Sequence, residues 1–336
     1  MSKGKTKKLK MKKSFKRMLV FLLFVTLMFF TLKKVNINSV SEGKSFIKEL
    51  CEKAKKREEE KEREKRYNEC ISKALPEENF NEQTIAKKDE IVNYVKSNGL
   101  KYTYEDLIYG YQINYGENDP LYGASLIKLV LALYLIDKDV DLSQTIKYES
   151  KYHQAYSEGM DKHKYGEDIS LETLLRYSIT YSDNTAYLML YTFIGRNNMK
   201  EYAQSLGATA IFTLYNDNFA SQTTHDTNIY LKRAYELMNE KENAKILKEA
   251  MTNDRKNRLN IPDKVSIAHK YGSYNEYFHN VGINYNDNYT ISVLTTKGEN
   301  GSVKYINNTS LLTYEFNQLY KENLKDYCSS YANKKD

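Results

Sequence analysis

The run Tyr122-Gly123-Ala124-Ser125-Leu126-Ile127-Lys128-Leu129-Val130-Leu131-Ala132-Leu133-Tyr134-Leu135-Ile136 decides how this chain is read. From Leu126 onward its only charge is Lys128, so the spacing predicts a helix that is apolar all round and buried, yet too short to span a bilayer. Burying an ammonium is costly unless it is paired or gives up its proton. Residues three apart share a helix face, which puts Lys128 within reach of the Ser125 hydroxyl. A desolvated lysine is a competent base for a serine nucleophile. The pattern is not specific in itself. Ser-x-x-Lys recurs at Ser2/Lys5, Ser41/Lys44 and Ser45/Lys48 in charged surroundings, and a helix-start serine followed by a snorkelling lysine reads the same way.

Elsewhere the chain falls into zones. Its 336 residues suffice for one large or two small domains, and the net charge of +7 is unevenly spread. Nine Lys/Arg lie within residues 1–17, and Lys33 and Lys34 follow the apolar run Met18–Leu32. The remainder is slightly acidic, so no nucleic-acid partner is expected. A basic head, an apolar segment and flanking lysines predict a signal-anchor over 18–34. The N-terminus would then be cytoplasmic and everything after Lys34 outside the cell membrane. Cleavage near Ser39-Val40-Ser41 would instead secrete the protein. Residues 35–83 read as a charged helical stalk, with a homodimeric coiled coil as the weaker alternative because the middle lacks an apolar seam. Cys51 and Cys70 are too far apart along a helix to pair with each other, and the partners of Cys51, Cys70 and Cys328 stay open. Neither cysteine nor histidine spacing predicts a metal or another cofactor. The abundance of tyrosine (31 residues) carries no functional reading.

A globular domain is expected over 84–336. Periodicity predicts helices over Thr84–Ser97, Ser170–Tyr181, Asn184–Ile194, Thr227–Asn239, Lys241–Met251 and Leu311–Tyr327. Alternation predicts strands over Leu100–Leu107, Tyr111–Tyr115, Val265–Tyr271, Asn280–Tyr285 and Tyr289–Thr295. Strands at both ends and helices between them imply an α/β protein of α+β type. Its mostly antiparallel sheet is built from both chain ends and flanked by helices, with an all-helical lobe inserted.

Two further signals follow Ser125-x-x-Lys128 in order: Ser182-Asp183-Asn184 at a helix junction, and Lys270-Tyr271-Gly272 at a strand end. Together the three resemble the signature of the penicillin-recognising serine hydrolases, in particular class A β-lactamases. The resemblance covers roughly Thr84–Tyr327. It implies a β-lactamase/transpeptidase-like fold and a β-lactam or peptidoglycan-like D-alanyl amide or ester as substrate. By the same resemblance Ser125 is the nucleophile, Lys128 its base and Ser182 the proton relay. Asn184 would hold the substrate amide and Lys270 would tune Ser182 and attract a carboxylate. Gly272 would let the substrate approach the strand, and the amides of Ser125 and Ser273 would form an oxyanion hole. Two departures stand out. Tyr271 replaces a small hydroxyl residue, and the family's Glu-x-x-Leu-Asn deacylation loop is missing between Asn184 and Lys270. The short stretch Leu214–Ala220 offers only Asp217 as a deacylation base. The alternatives are a slowly deacylating penicillin-binding or peptidase-like relative, and an idle cell-wall-binding domain.

Overall fold

In a computed structural model the chain divides into two compact units, Met1–Asn68 and Glu69–Lys334. The described residues are 40–211, 220–254, 256–259, 261–262 and 267–334. Helix α1 (Val40–Ile71) accounts for what is described of the first unit; it is solvated, with Glu and Lys at i,i+4 spacing such as Glu49 and Lys53. Among the described residues no helix is long and apolar enough to cross a membrane. The expected anchor over Met18–Leu32 lies outside them.

The second unit is built on one antiparallel sheet in the order β2-β1-β9-β8-β7. Its strands are β1 (Lys101–Asp106), β2 (Gln112–Tyr115), β7 (Ala268–Tyr274), β8 (Tyr277–Asn284) and β9 (Tyr289–Leu294). The two chain ends meet where β1 pairs with β9, Tyr104 opposite Ile291. Because side chains alternate across a strand, the two faces of β1 differ in chemistry. Tyr102 and Tyr104 face the closing helix α9 (Gly298–Asn333), where the Tyr102 hydroxyl lies 2.8 Å from Thr313 Oγ1 and Asn317 Nδ2 donates to Tyr104 at 2.7 Å. Thr103 and Glu105 face α7 (Thr224–Glu240), bonded to Thr224, Asn228 and Lys232.

Four tyrosines on the α9 face, Tyr104, Tyr111, Tyr289 and Tyr320, stack, tilt or meet edge-on with one another and Phe316 at ring spacings of 5.0 to 5.9 Å. Helix α9 begins at Gly298 rather than the expected Leu311: the buried residues of its first turns are Ser302, Ile306, Thr309 and Ser310, a mostly polar set that a hydrophobic period does not register.

The lobe between the strands contains α3 (Ile127–Asp137), α4 (Leu171–Thr180), α5 (Asn184–Ile194), α6 (Arg196–Ser205) and α8 (Ala244–Thr252). Helix α3 is buried as expected, Ile127–Leu133 being at most 1% exposed. Helix α6 was not expected, because only Met199, Tyr202 and Ala203 of its ten residues are buried. Two short pairs complete the unit: β3 (Leu121–Tyr122) with β6 (Ser221–Gln222), and β4 (Thr145–Lys147) with β5 (Asp168–Ser170).

The compact unit begins at Glu69, ahead of the expected domain start at Thr84, and helix α2 (Glu82–Ser97) lies near its beginning. Leu75 N donates to the Tyr320 hydroxyl at 3.1 Å, and Asn81 N donates to Asn323 Oδ1 at 2.8 Å. Cys70 is disulfide-bonded to Cys328, 258 residues away, and Cys51 is a free, exposed thiol. Closing so long a loop stabilises the fold by up to about 5 kcal/mol in the chain-entropy view. Cys328→Ser should therefore lower the melting temperature by roughly 5–10 °C; a scanning calorimetry trace unchanged from wild type would show that the disulfide does not hold this unit together.

Candidate active site

The segment that enters the buried helix is pinned from several sides. After β3, Gly123 N donates to Ala220 O at 2.9 Å, and a single 3₁₀ turn, Ala124–Leu126, leads into α3. Ala124 adopts φ +45° and Ser182 φ +53°, both in the left-handed region that costs a non-glycine residue about 1–2 kcal/mol. Such strain persists only where packing over-determines it.

Here the packing comes from β7 and β8. A Cβ on Gly272 would lie 2.6 Å from the Gly123 carbonyl oxygen and 3.1 Å from Leu126 Cγ. Gly272 thus lets β7 lie against the turn that carries Ser125, a close approach of backbone to backbone. His279, fully buried on β8, accepts from Thr295 N through Nδ1 (3.1 Å). Its Nε2 therefore carries the proton in the neutral ring and donates to Tyr122 O at 2.9 Å. Burial pushes this imidazole down to about 4. Next to the turn, the buried Gln222 packs against Gly123.

Ser125 is nearly buried and Lys128 wholly so. Lys128 Nζ donates to Ser182 O at 2.5 Å and to Asn184 Oδ1 at 2.7 Å, and lies 3.3 Å from Ser182 Oγ. Burial first, and then the charge of Lys270, drive its amine well below the usual lysine range. The three residues Ser182-Asp183-Asn184 divide the work. Asp183 caps α5 by accepting from Ala186 N (2.8 Å) and also accepts from Met160 N (2.9 Å). That bond fixes the polar loop. The left-handed turn at Ser182 precedes this cap, and its hydroxyl meets both lysines. Asn184 bridges Lys128 to Ala155 O (3.0 Å), each end of its amide making a bond within the protein.

From the sheet side, Lys270 Nζ donates to Ser182 Oγ and to Tyr271 O, each at 3.0 Å. Behind it the buried carboxylate Asp254 Oδ2 is 3.6 Å from Nζ. Burial lowers Lys270 to about 8, with Asp254 opposing the fall. The Tyr271 ring covers this amine at 4.2 Å and faces Lys256 at 5.4 Å. Burial raises its phenol to about 12. Ser273 lies on β7, an edge strand. Residues 212–219, and Asp217 with them, lie outside the described residues.

Residues 86–316 match the family model Beta-lactamase2, described as the β-lactamase enzyme family. The chain belongs to that family. Solved structures of the same fold include the TLA-1 extended-spectrum β-lactamase, with a TM-score of 0.59 and 19% identity over 72% of this chain and 99% of the other. A β-lactamase from Sphaerobacter thermophilus gives 0.60 and 16% over 70% and 98%, and PBP-A gives 0.60 and 18% over 68% and 95%. No curated protein is a significant sequence match.

In this β-lactamase-family chain the structure brings Lys128, Ser182, Asn184 and Lys270 into one hydrogen-bonded cluster, with Ser125 one turn ahead of Lys128. Asp254 carries no motif, and a lone acid in a charged loop gives no sequence signal; His279 belongs to the His279-Asn280-Val281-Gly282 stretch that shares in the family resemblance, but nothing in that stretch signals its contact with Tyr122. The histidine makes a pH dependence. Its folded pKa lies below the value of about 6.5 expected in the unfolded chain, so its stabilising contribution is complete above that pH and lost as pH falls towards about 4. On the order of 3 kcal/mol is at stake. Denaturant melts of wild type and His279→Asn should converge on acidification through this window; a constant gap would show that His279 does not titrate with unfolding.

Proposed function

We propose that this protein is an exported, membrane-anchored serine hydrolase, acylated on Ser125 by a β-lactam or a D-alanyl amide or ester. The observation that carries the reading is the Ser182 hydroxyl held between Lys128 and Lys270. Neutral Lys128 takes the Ser125 proton as Oγ attacks the carbonyl carbon. The backbone amides of Ser125 and Ser273 stabilise the oxyanion, donors of the kind supplied by a helix N-terminus and a free strand edge. The proton then passes from Lys128 through the Ser182 hydroxyl to the leaving nitrogen as the C–N bond breaks, and Ser125 is left as an ester. Lys270 stabilises negative charge developing on Ser182 and attracts an anionic substrate. PBP-A supplies a parallel, since a variant of that protein has been solved as an acyl-enzyme with penicillin G.

Release is the slow step in this proposal. Hydrolysing the ester needs a held water and a base. Among the described residues, the carboxylates whose charge bears on Lys128 include Asp183 and Asp254. Asp183 is committed to capping α5, and Asp254 lies behind Lys270. That leaves Asp217 or a returned neutral Lys128 as the base, and a poorly placed group costs about a hundredfold. Incubation with benzylpenicillin should give a burst followed by slow release, with the mass of a penicilloyl adduct on Ser125 that Ser125→Ala lacks. Fast turnover with no adduct, or labelling of Ser125→Ala at the wild-type level, would refute the respective half of this reading.

Two observations support export. The Cys70–Cys328 disulfide belongs to an oxidising compartment, and the basic head with its apolar run is the pattern of an uncleaved anchor. Protease added to intact cells should remove the unit from Glu69 onward and spare residues 1–17. Full protection of the chain would place it inside the cell.

A further inference from the structure

We infer that Tyr271 sets the substrate class of this site: its ring closes Lys270 off from the cleft, so a leaving nitrogen that carries a neutral group is favoured over one that carries a carboxylate. The inference rests on the reading of Ser125 as nucleophile and Ser182 as relay. A hydroxyl that hands a proton to the leaving nitrogen must meet it directly, so whatever that nitrogen carries lies next to Ser182. Tyr271 stands on that ground, its phenol hydrogen-bonded with Ser182. In benzylpenicillin, as in a D-alanyl-D-alanine terminus, the carbon beside the leaving nitrogen bears a carboxylate. An anion there is held best by a cation with a hydrogen to give. Lys270 has none to spare. It is wholly buried, and its Nζ donates to Ser182 Oγ and Tyr271 O at 3.0 Å each. Asp254 Oδ2 stands 3.6 Å away as its counter-charge, and the Tyr271 ring lies over the amine at 4.2 Å.

The other charges around the ring give a carboxylate no better reception. Lys256, 5.4 Å from the ring, is held by Glu299 at 2.9 Å, and Arg258 lies 3.9 Å from the same carboxylate. Asp254, Glu299 and Glu158, the last from the loop that contacts Asn184, all act on the phenol as negative charges. The cations near the ring are thus engaged by carboxylates, and Glu158 adds a further negative charge. An aromatic face itself carries negative potential, and burying a carboxylate against it without a cation is costly. Lys270 still draws an anion from a distance; what the ring denies is the contact ion pair. A neutral ester, amide or apolar ring meets no such cost and gains by packing on the tyrosine. The favoured substrate is therefore a D-alanyl amide or ester with an uncharged leaving group, or a β-lactam with no free carboxylate beside its nitrogen.

The test is acylation of the full-length protein by benzylpenicillin and by its uncharged methyl ester, followed by intact-protein mass over time. Wild type should be acylated about tenfold or more efficiently by the ester, the scale of one missing charge-assisted hydrogen bond. Tyr271→Thr uncovers the amine and should remove that preference. It should raise benzylpenicillin acylation by about tenfold or more through a lower half-saturating concentration, with the limiting rate and the reaction of the ester little changed. Tyr271→Phe keeps the ring and should keep the wild-type order, which separates the cover from the hydroxyl. If the threonine variant does not fold, Tyr271→Ala should give the same loss of preference. Acid and ester acylating wild type alike, or a threonine or alanine variant that keeps the wild-type order or slows both compounds together, overturns the proposal. If neither compound acylates wild type, the nucleophile reading fails; calorimetric binding of the two compounds to wild type and Tyr271→Thr then gives the same ratio without chemistry and still decides the role of Tyr271.

Discussion

The Ser182 hydroxyl lies 3.3 Å from the amine of Lys128 and 3.0 Å from that of Lys270, and neither amine is exposed to solvent. Two buried lysines on one hydroxyl form an expensive arrangement, because desolvation and mutual repulsion both disfavour the charged forms. Most of the surrounding structure can be understood as what makes it tolerable. Lys128 gains two backbone- and amide-type acceptors, Lys270 gains a buried carboxylate, and Asp183 anchors the turn that presents Ser182. A buried lysine needs apolar walls as well as partners, and α3, apolar on every side, supplies them.

Holding the three elements together takes backbone strain, and the strain is localised. Ala124 and Ser182 both adopt left-handed conformations, one before the nucleophile and one at the relay. Each is opposed by a specific contact. β7 presses on the first through Gly272, where any side chain would collide with the Gly123 carbonyl, and the Asp183 cap secures the second. His279 ties β8 to the chain just ahead of Ser125. The nucleophile turn is therefore positioned by the sheet edge and not by its own helix alone.

The sheet keeps its register by giving its two faces different chemistry. On one, phenols meet the hydroxyl and amide groups of α9; on the other, threonine, serine and a buried glutamate meet α7. A polar interface of this kind is stabilising only when its members are mutually satisfied, which favours one register of helix on sheet. Because α7 follows β6, and β6 pairs with the strand entering the Ser125 turn, that register reaches the site.

Local sequence determined the parts whose partners are near in the chain. The apolar run after Ser125 could only be a buried helix, the serine and lysine one turn apart followed from helical spacing, and Ser170 and Asp183 marked helix starts through their side chains. The order of the three motifs, read against a known family, supplied the fold and most of the cluster. What depended on residues far apart was decided by tertiary structure alone. Cys70 chose Cys328 because the chain ends converge on the sheet. Asp254 reached Lys270 from a charged loop, Asn184 turned its amide inward to Lys128, and Gly272 brought β7 against the Gly123 carbonyl. Helices α6 and most of α9 escaped hydrophobic periodicity because their buried faces are small or polar. A residue's type and spacing state what it can do within one element; which charge faces which across elements is settled only when the sheet and the lobe close on each other.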